Sequence, residues 1–123
     1  MKDVVVAVII SDNRVLVEKR RDDDEHSPGQ YRFPSGHVEE GEHLEHALKR
    51  EVLEELGVKV ADYKKIHQAF YKGRDSVDRK LHYFIVKIAG ELTEDSHLSW
   101  FSRKDADKMS FDEDRDLIKY YLR

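Results

Sequence analysis

Three carboxylates, Glu51, Glu54 and Glu55, stand close together in the stretch Arg50-Glu51-Val52-Leu53-Glu54-Glu55-Leu56-Gly57-Val58. On a helix turning about 100° per residue, Glu54 and Glu55 fall roughly 60° to one side and 40° to the other of Glu51, so all three share one arc. Like charges at these spacings repel by a few tenths of a kcal/mol each, and the helix dipole disfavours anions near a C-terminus. Leu44, Leu48, Val52 and Leu56 recur every four residues on an adjacent stripe. The acidic arc therefore borders the buried face, where charges are screened less. Taken alone, three glutamates on a helix most often form a solvated acidic face. A hard divalent cation with oxygen ligands is the alternative that relieves the repulsion; Mg²⁺ fits best and Mn²⁺ is a possible substitute.

The elements that must position these groups follow from pattern and punctuation. Val4–Ile10 is a continuous β-branched run, expected as a buried strand. Ser11-Asp12-Asn13 reads as a turn, and Arg14–Lys19 alternates and completes a hairpin. Arg21–Gln30 is polar and reads as a loop. Tyr31–Phe33 is extended because Pro34 disfavours helix before it. The helix is expected over Glu42–Leu56, with Gly57 as its stop. Strands are expected over Val58–Lys72 and Lys80–Ala89, with a turn around Gly73–Asp78, and over Leu98–Phe101. Ser102 is the expected N-cap of a helical turn to Lys108. Asp112–Leu122 is the closing helix, with Leu117, Ile118, Tyr121 and Leu122 toward the core.

Composition bounds the function. With 123 residues there is room for one domain, residues 1–123. Lys+Arg of 22 against Asp+Glu of 26 gives a net charge of −4, so no global basic footprint favours a nucleic acid polymer or an anionic membrane. Cysteine is absent, which excludes disulfides, thiolate zinc sites and a cysteine nucleophile. The opening MKDVVVAVII is too short to span a membrane and lacks a signal-peptide pattern, so a cytoplasmic location is expected. The seven histidines show no zinc spacing.

Gly36, five residues, Glu42, seven residues and then Arg50–Val58 make a longer pattern. Residues 36–58 resemble the Nudix box, GX5EX7REUXEEXGU with U aliphatic, at every specified position: Gly36, Glu42, Arg50, Glu51, Val52, Glu54, Glu55, Gly57 and Val58. The resemblance implies an α/β fold, the Nudix α/β/α sandwich around a central mixed β-sheet, with the box forming a loop, a helix and a loop. It also implies metal-dependent hydrolysis of a nucleoside diphosphate linked to a further group. Arg20-Arg21, His26, Phe33-Pro34-Ser35-Gly36, Glu94 to Trp100 and Phe111 to Asp114 are similar to the MutT-type nucleoside triphosphate pyrophosphatases. Those cleave a triphosphate to monophosphate and pyrophosphate, often preferring oxidised guanine nucleotides. Two residues depart from that type: Ser35 stands where glycine is usual, and Asp114 where an asparagine is frequent.

By this resemblance Glu51, Glu54, Glu55, the Ser35 carbonyl and Glu94 are the expected metal ligands. Glu51 is the expected general base or water orienter, with Glu94 as the alternative, and Arg50 fixes a glutamate by ion pairing. Arg20 and Arg21 are expected on the phosphates, since guanidinium groups donate in pairs. Phe33 is either core or a base-stacking ring. Asp112 and Asp114 either favour the helix start as acids or accept from a base edge. The expected partner is a nucleotide substrate, and the chain is a monomer or homodimer. A hydrolase of ADP-ribose or dinucleoside polyphosphates and a non-catalytic nucleotide sensor are the competing readings.

Overall fold

A computed structural model of the chain describes residues 1–20, 30–92 and 95–123. Its elements are β1 (Lys2–Ser11), β2 (Arg14–Lys19), β3 (Tyr31–Arg32), β4 (Ser35–His37), α1 (Leu44–Leu56), β5 (Lys59–Lys72), β6 (Asp78–Ala89), β7 (Leu98–Phe101), a 3₁₀ turn (Arg103–Lys108) and α2 (Asp112–Tyr121). They fall into two compact units, residues 1–9 with 34–93, and residues 10–33 with 94–123. Arg21 and Glu94, both expected at the site, lie outside the described residues, as do His26 and the acidic run Asp22–Glu25.

The first unit is built on a mixed sheet. β1 runs parallel to β6 from Lys2↔Arg79 to Ile9↔Val86 and antiparallel to β4, while β5 and β6 form a long antiparallel hairpin. Val4 through Ile9 are all buried, which explains why this strand shows no polar alternation. α1 buries Ala47, Leu48, Val52 and Leu56 and leaves Leu44 half-exposed.

Two differences from expectation bear on the site. α1 begins at Leu44 rather than Glu42. Gly41 sits in the left-handed region at φ 77°, and the Glu42 N–H donates to the Glu39 carbonyl at 3.0 Å, so a turn takes up the residues before the helix. The loop expected at the start of the box opens as a strand, because Ser35–His37 pair with Val6, Val5 and Val4. The helix stop is where expected: Gly57 adopts φ 68° and its N–H donates to the Leu53 carbonyl.

In the second unit, Ile10↔Val15 and Ser11↔Arg14 close the expected hairpin, with Asp12 and Asn13 both at positive φ as a tight two-residue turn requires. β2 lies between β3 and β7 and buries Val15, Leu16 and Val17. The Ser102 N–H donates to the Asp105 carboxylate at 3.0 Å, which starts the 3₁₀ turn. α2 buries Ile118, and Leu122 just past its end is buried too; Leu117 and Tyr121 are only half-buried. Asp114, one turn before Ile118, is the other buried residue of the helix. No helix among the described residues is long and apolar enough to cross a membrane.

Candidate active site

Strand β4 sets the entrance of the site. The Ala7 N–H donates to the Pro34 carbonyl and the Val38 N–H to the Asp3 carbonyl. The pairs Ala7–Pro34 and Asp3–Val38 are therefore hydrogen-bonded, and the intervening Val6–Ser35 and Val4–His37 pairs are not. Ser35 and His37 thus turn their carbonyls away from β1. The His37 carbonyl accepts from Arg50 Nη2 of α1 at 3.0 Å. Carbonyls two residues apart on a strand point the same way, so the Ser35 carbonyl is presented on that edge too.

Glu51 and Glu55 line a small pocket together with Ser35, over an apolar floor that includes Val5, Ala7 and Val52. A Cβ built on Gly36 would overlap the Glu51 carboxyl. Glycine at this position is what lets that carboxylate lie against the strand.

Arg50 organises the acids. Its Nε and Nη2 donate to both oxygens of Glu42 at 2.8 and 2.9 Å, and its Nη1 to Glu51 Oε1 at 2.8 Å. Glu54, one turn on, accepts a longer bond from Nη1 at 3.3 Å. His46 Nδ1 lies 2.6 Å from Glu42 Oε2, and the Glu39 N–H donates to Oε1 at 3.0 Å. The Arg50 hydrogen bonds hold the Glu42 carboxyl far below the usual carboxylate range, and Glu42 in turn raises the Arg50 guanidinium well above its ordinary value.

These contacts draw one of the three glutamates of the acidic arc aside. Glu54 is turned to Arg50, with its side chain 60 % exposed, and among the described residues no three His, Asp or Glu side chains converge tightly enough to cage an ion. Glu51 and Glu54 share one guanidinium, which relieves their mutual repulsion. The donor chemistry still fits a hard divalent cation: Glu51, Glu55 and the Ser35 carbonyl offer oxygens around one pocket.

The second unit places the remaining candidates differently from one another. Arg20 Nη1 lies 3.7 Å from Glu18 Oε1, and its N–H donates to the Gln30 carbonyl. Phe33 is 1 % exposed. The ring belongs to the core, one of its two expected readings, and presents no face for a base in this structure. Asp112 is exposed and sits 3.4 Å from Arg115. Asp114 is buried, so it is not an open edge for a base in this conformation, and its position is one turn from Ile118. Sequence reasoning missed the His46–Glu42 contact and the His37 carbonyl as part of the Arg50 network. The signal was present, because Glu42, His46 and Arg50 stand at successive four-residue steps.

The NUDIX domain family matches residues 1–121. The chain belongs to the Nudix family. Its relatives fall on the MutT-type branch. The 8-oxo-dGTP diphosphatase of Buchnera aphidicola subsp. Schizaphis graminum is 31% identical over 86 residues, covering 68% of this chain and 62% of that protein. The nucleoside triphosphatase NudI of Escherichia coli is 43% identical over 56 residues, covering 46% of this chain and 40% of that protein. The matched stretches thus span only 62% and 40% of these curated relatives. Among solved structures, the MutT NUDIX hydrolase of Burkholderia pseudomallei superposes with a TM-score of 0.81 at 23% identity, over 96% of this chain and 95% of that one. The E. coli ORF135 protein gives 0.78 at 27% identity, over 97% and 86%. The α/β fold with a mixed sheet is therefore that of the family.

Proposed function

We propose that residues 1–123 act as one Nudix domain that hydrolyses a nucleoside triphosphate to the monophosphate and pyrophosphate with a divalent cation, Mg²⁺ by preference. One observation carries this reading: Glu51, Glu55 and the outward Ser35 carbonyl border one pocket, with Glu51 seated on Gly36 and held by Arg50. The names of the Buchnera and E. coli relatives support a triphosphate substrate.

The acidic site binds a polyanion poorly by itself. A cation there would neutralise phosphate charge and acidify water. The chain's own residues supply the rest. Glu51 takes the proton of the attacking water. Arg50 keeps the Glu51 carboxylate in place through its 2.8 Å bond. Glu55 and the Ser35 carbonyl provide further oxygens, and Glu54 is the reserve ligand once it leaves its 3.3 Å contact with Arg50. Arg20 and Arg21 are assigned to phosphate by their paired donors, and Glu94 is the alternative base.

The test is product analysis by ion-exchange chromatography. Wild type and Glu55→Gln are incubated with Mg²⁺ and unmodified or oxidised nucleoside triphosphates, ADP-ribose and diadenosine polyphosphates. Monophosphate and pyrophosphate from a triphosphate, reduced at least about 100-fold in the variant, are expected. Turnover confined to ADP-ribose or a dinucleotide overturns the substrate class. Binding without any turnover overturns the hydrolase and leaves a nucleotide sensor.

A further inference from the structure

The first unit holds a second cluster of titratable groups that the proposed hydrolysis does not use. His82 of β6 is 4 % exposed. Its Nε2 lies 2.9 Å from Asp3 Oδ1, and its Nδ1 lies 2.9 Å from Lys65 Nζ. A lysine ammonium only donates. Nδ1 is therefore the acceptor, and the ring carries its proton on Nε2, where it donates to Asp3. Lys65 Nζ also donates to Gln68 Oε1 at 3.1 Å.

The placement of Lys65 depends on an irregularity of the sheet. Residues three apart on a regular strand face opposite sides. Lys65 and Gln68 nevertheless reach the same histidine side, because the β5–β6 register shifts between Lys65 and His67. Such a bulge re-aims a side chain. Lys65 pairs with Phe84 and Gln68 with His82, which share one face of β6. Lys64, its exposed neighbour, pairs with Ile85 and faces the other side.

We infer that Asp3, His82 and Lys65 form a proton relay that makes Lys65 a preferred site of acylation by an acyl phosphate. The Lys65 ammonium first gives up one proton to water, and the amine nitrogen then forms a bond to the acyl carbon as a second proton passes to His82 Nδ1. The Asp3 carboxylate stabilises the imidazolium through the existing Nε2–H bond. The acyl–oxygen bond breaks, and inorganic phosphate leaves with the electron pair. His82 then releases its proton to water, and Lys65 remains as a neutral amide. Three features meet the needs of that step: a fixed tautomer, an acceptor 2.9 Å from the amine, and an exposed lysine.

The experiment uses the full chain and acetyl phosphate, with site-by-site acetylation followed over time by peptide mass spectrometry. Lys65 is expected to react at least about tenfold faster than Lys64, the scale of modest general-base assistance. Asp3→Asn, at a half-exposed carboxylate, is expected to reduce that ratio several-fold without disturbing the core. His82→Gln is expected to abolish it, with circular dichroism checking that this buried substitution still folds. Equal rates at Lys65 and Lys64 in wild type overturn the proposal. So does a ratio that survives Asp3→Asn unchanged, which would leave the cluster a means of satisfying a buried imidazole.

Discussion

α1 carries Glu51, Glu54 and Glu55 toward its C-terminus, whereas α2 carries Asp112, Glu113 and Asp114 in its first turn. The two clusters are equal in charge and opposite in setting. On α2 the dipole favours the acids, and Asp112 stands exposed with only a 3.4 Å approach to Arg115. On α1 the dipole opposes them, and no basic residue occupies the last turn. Arg50 enters from one turn earlier and binds Glu51 and Glu54 while gripping Glu42 and the His37 carbonyl. Acids that sit against the dipole beside a buried face must be organised by something outside their own turn. That organisation leaves two carboxylates bordering a pocket.

The largest effect should come from removing the organiser. Arg50→Ala deprives Glu42, whose side chain is 7 % exposed, of both guanidinium bonds. It should lower Tm by roughly 5–10 °C and turnover by about 100-fold or more. A variant that melts with wild type would show that α1 tolerates its acids unaided and would break the comparison.

Gly36→Ala separates placement from stability. The new Cβ overlaps the end of the flexible Glu51 side chain, which can swing aside. Turnover should fall by between about tenfold and 100-fold, while Tm stays within about 2 °C of wild type. Parallel kinetics and differential scanning calorimetry read the two quantities. Full activity would mean that the position of Glu51 over Gly36 does not matter to the chemistry.

The pH dependence sharpens the electrostatic half. The Arg50 hydrogen bonds depress the Glu42 pKa in the folded state, so its contribution to stability is fully present above the ordinary value of 4.5. It declines as pH falls below that value, where the unfolded chain takes up a proton that the folded chain refuses. Glu42→Gln should therefore lower Tm at pH 7, and the gap to wild type should narrow steadily as pH is lowered from 4.5 toward 2. A gap that is constant with pH would locate the role of Glu42 in packing alone.

The smallest effects lie on α2. Asp114 is 3 % exposed and Asp112 has a 90 % exposed side chain. Asp114→Ala should cost on the order of 5 °C in Tm, and Asp112→Ala less than about 2 °C. The reverse ranking would place the helix start, rather than the buried carboxylate, at the centre of this region's stability.

Much of this was legible without coordinates. The β1–β2 hairpin followed from a buried run, an Asp-Asn turn and an alternating strand. Gly57 marked the end of α1, and Ser102 the start of the 3₁₀ turn. These features depend on residues close in sequence, whose torsional preferences and periodicity act locally. The start of α1 was misplaced by two residues because a turn closed by Gly41 and the Glu42–Glu39 bonds competed with the helix. Phe33 remained open between core and ligand, because an aromatic ring before a proline suits either until its neighbours are known.

The spacing of Gly36, Glu42, Arg50, Glu51, Glu54 and Glu55 by itself determined the family and put the acids on one arc, since helical phase is a property of the chain. Tertiary structure alone decided which of those acids face a pocket. Strand pairing of β4 on β1 turned the Ser35 and His37 carbonyls outward, and the Arg50 fork drew Glu54 aside while leaving Glu51 and Glu55 at the opening. The same holds for Lys65, which reaches His82 only because the β5–β6 register slips beside it. Register and side-chain direction are settled by which strands meet, and residues distant in sequence make that choice.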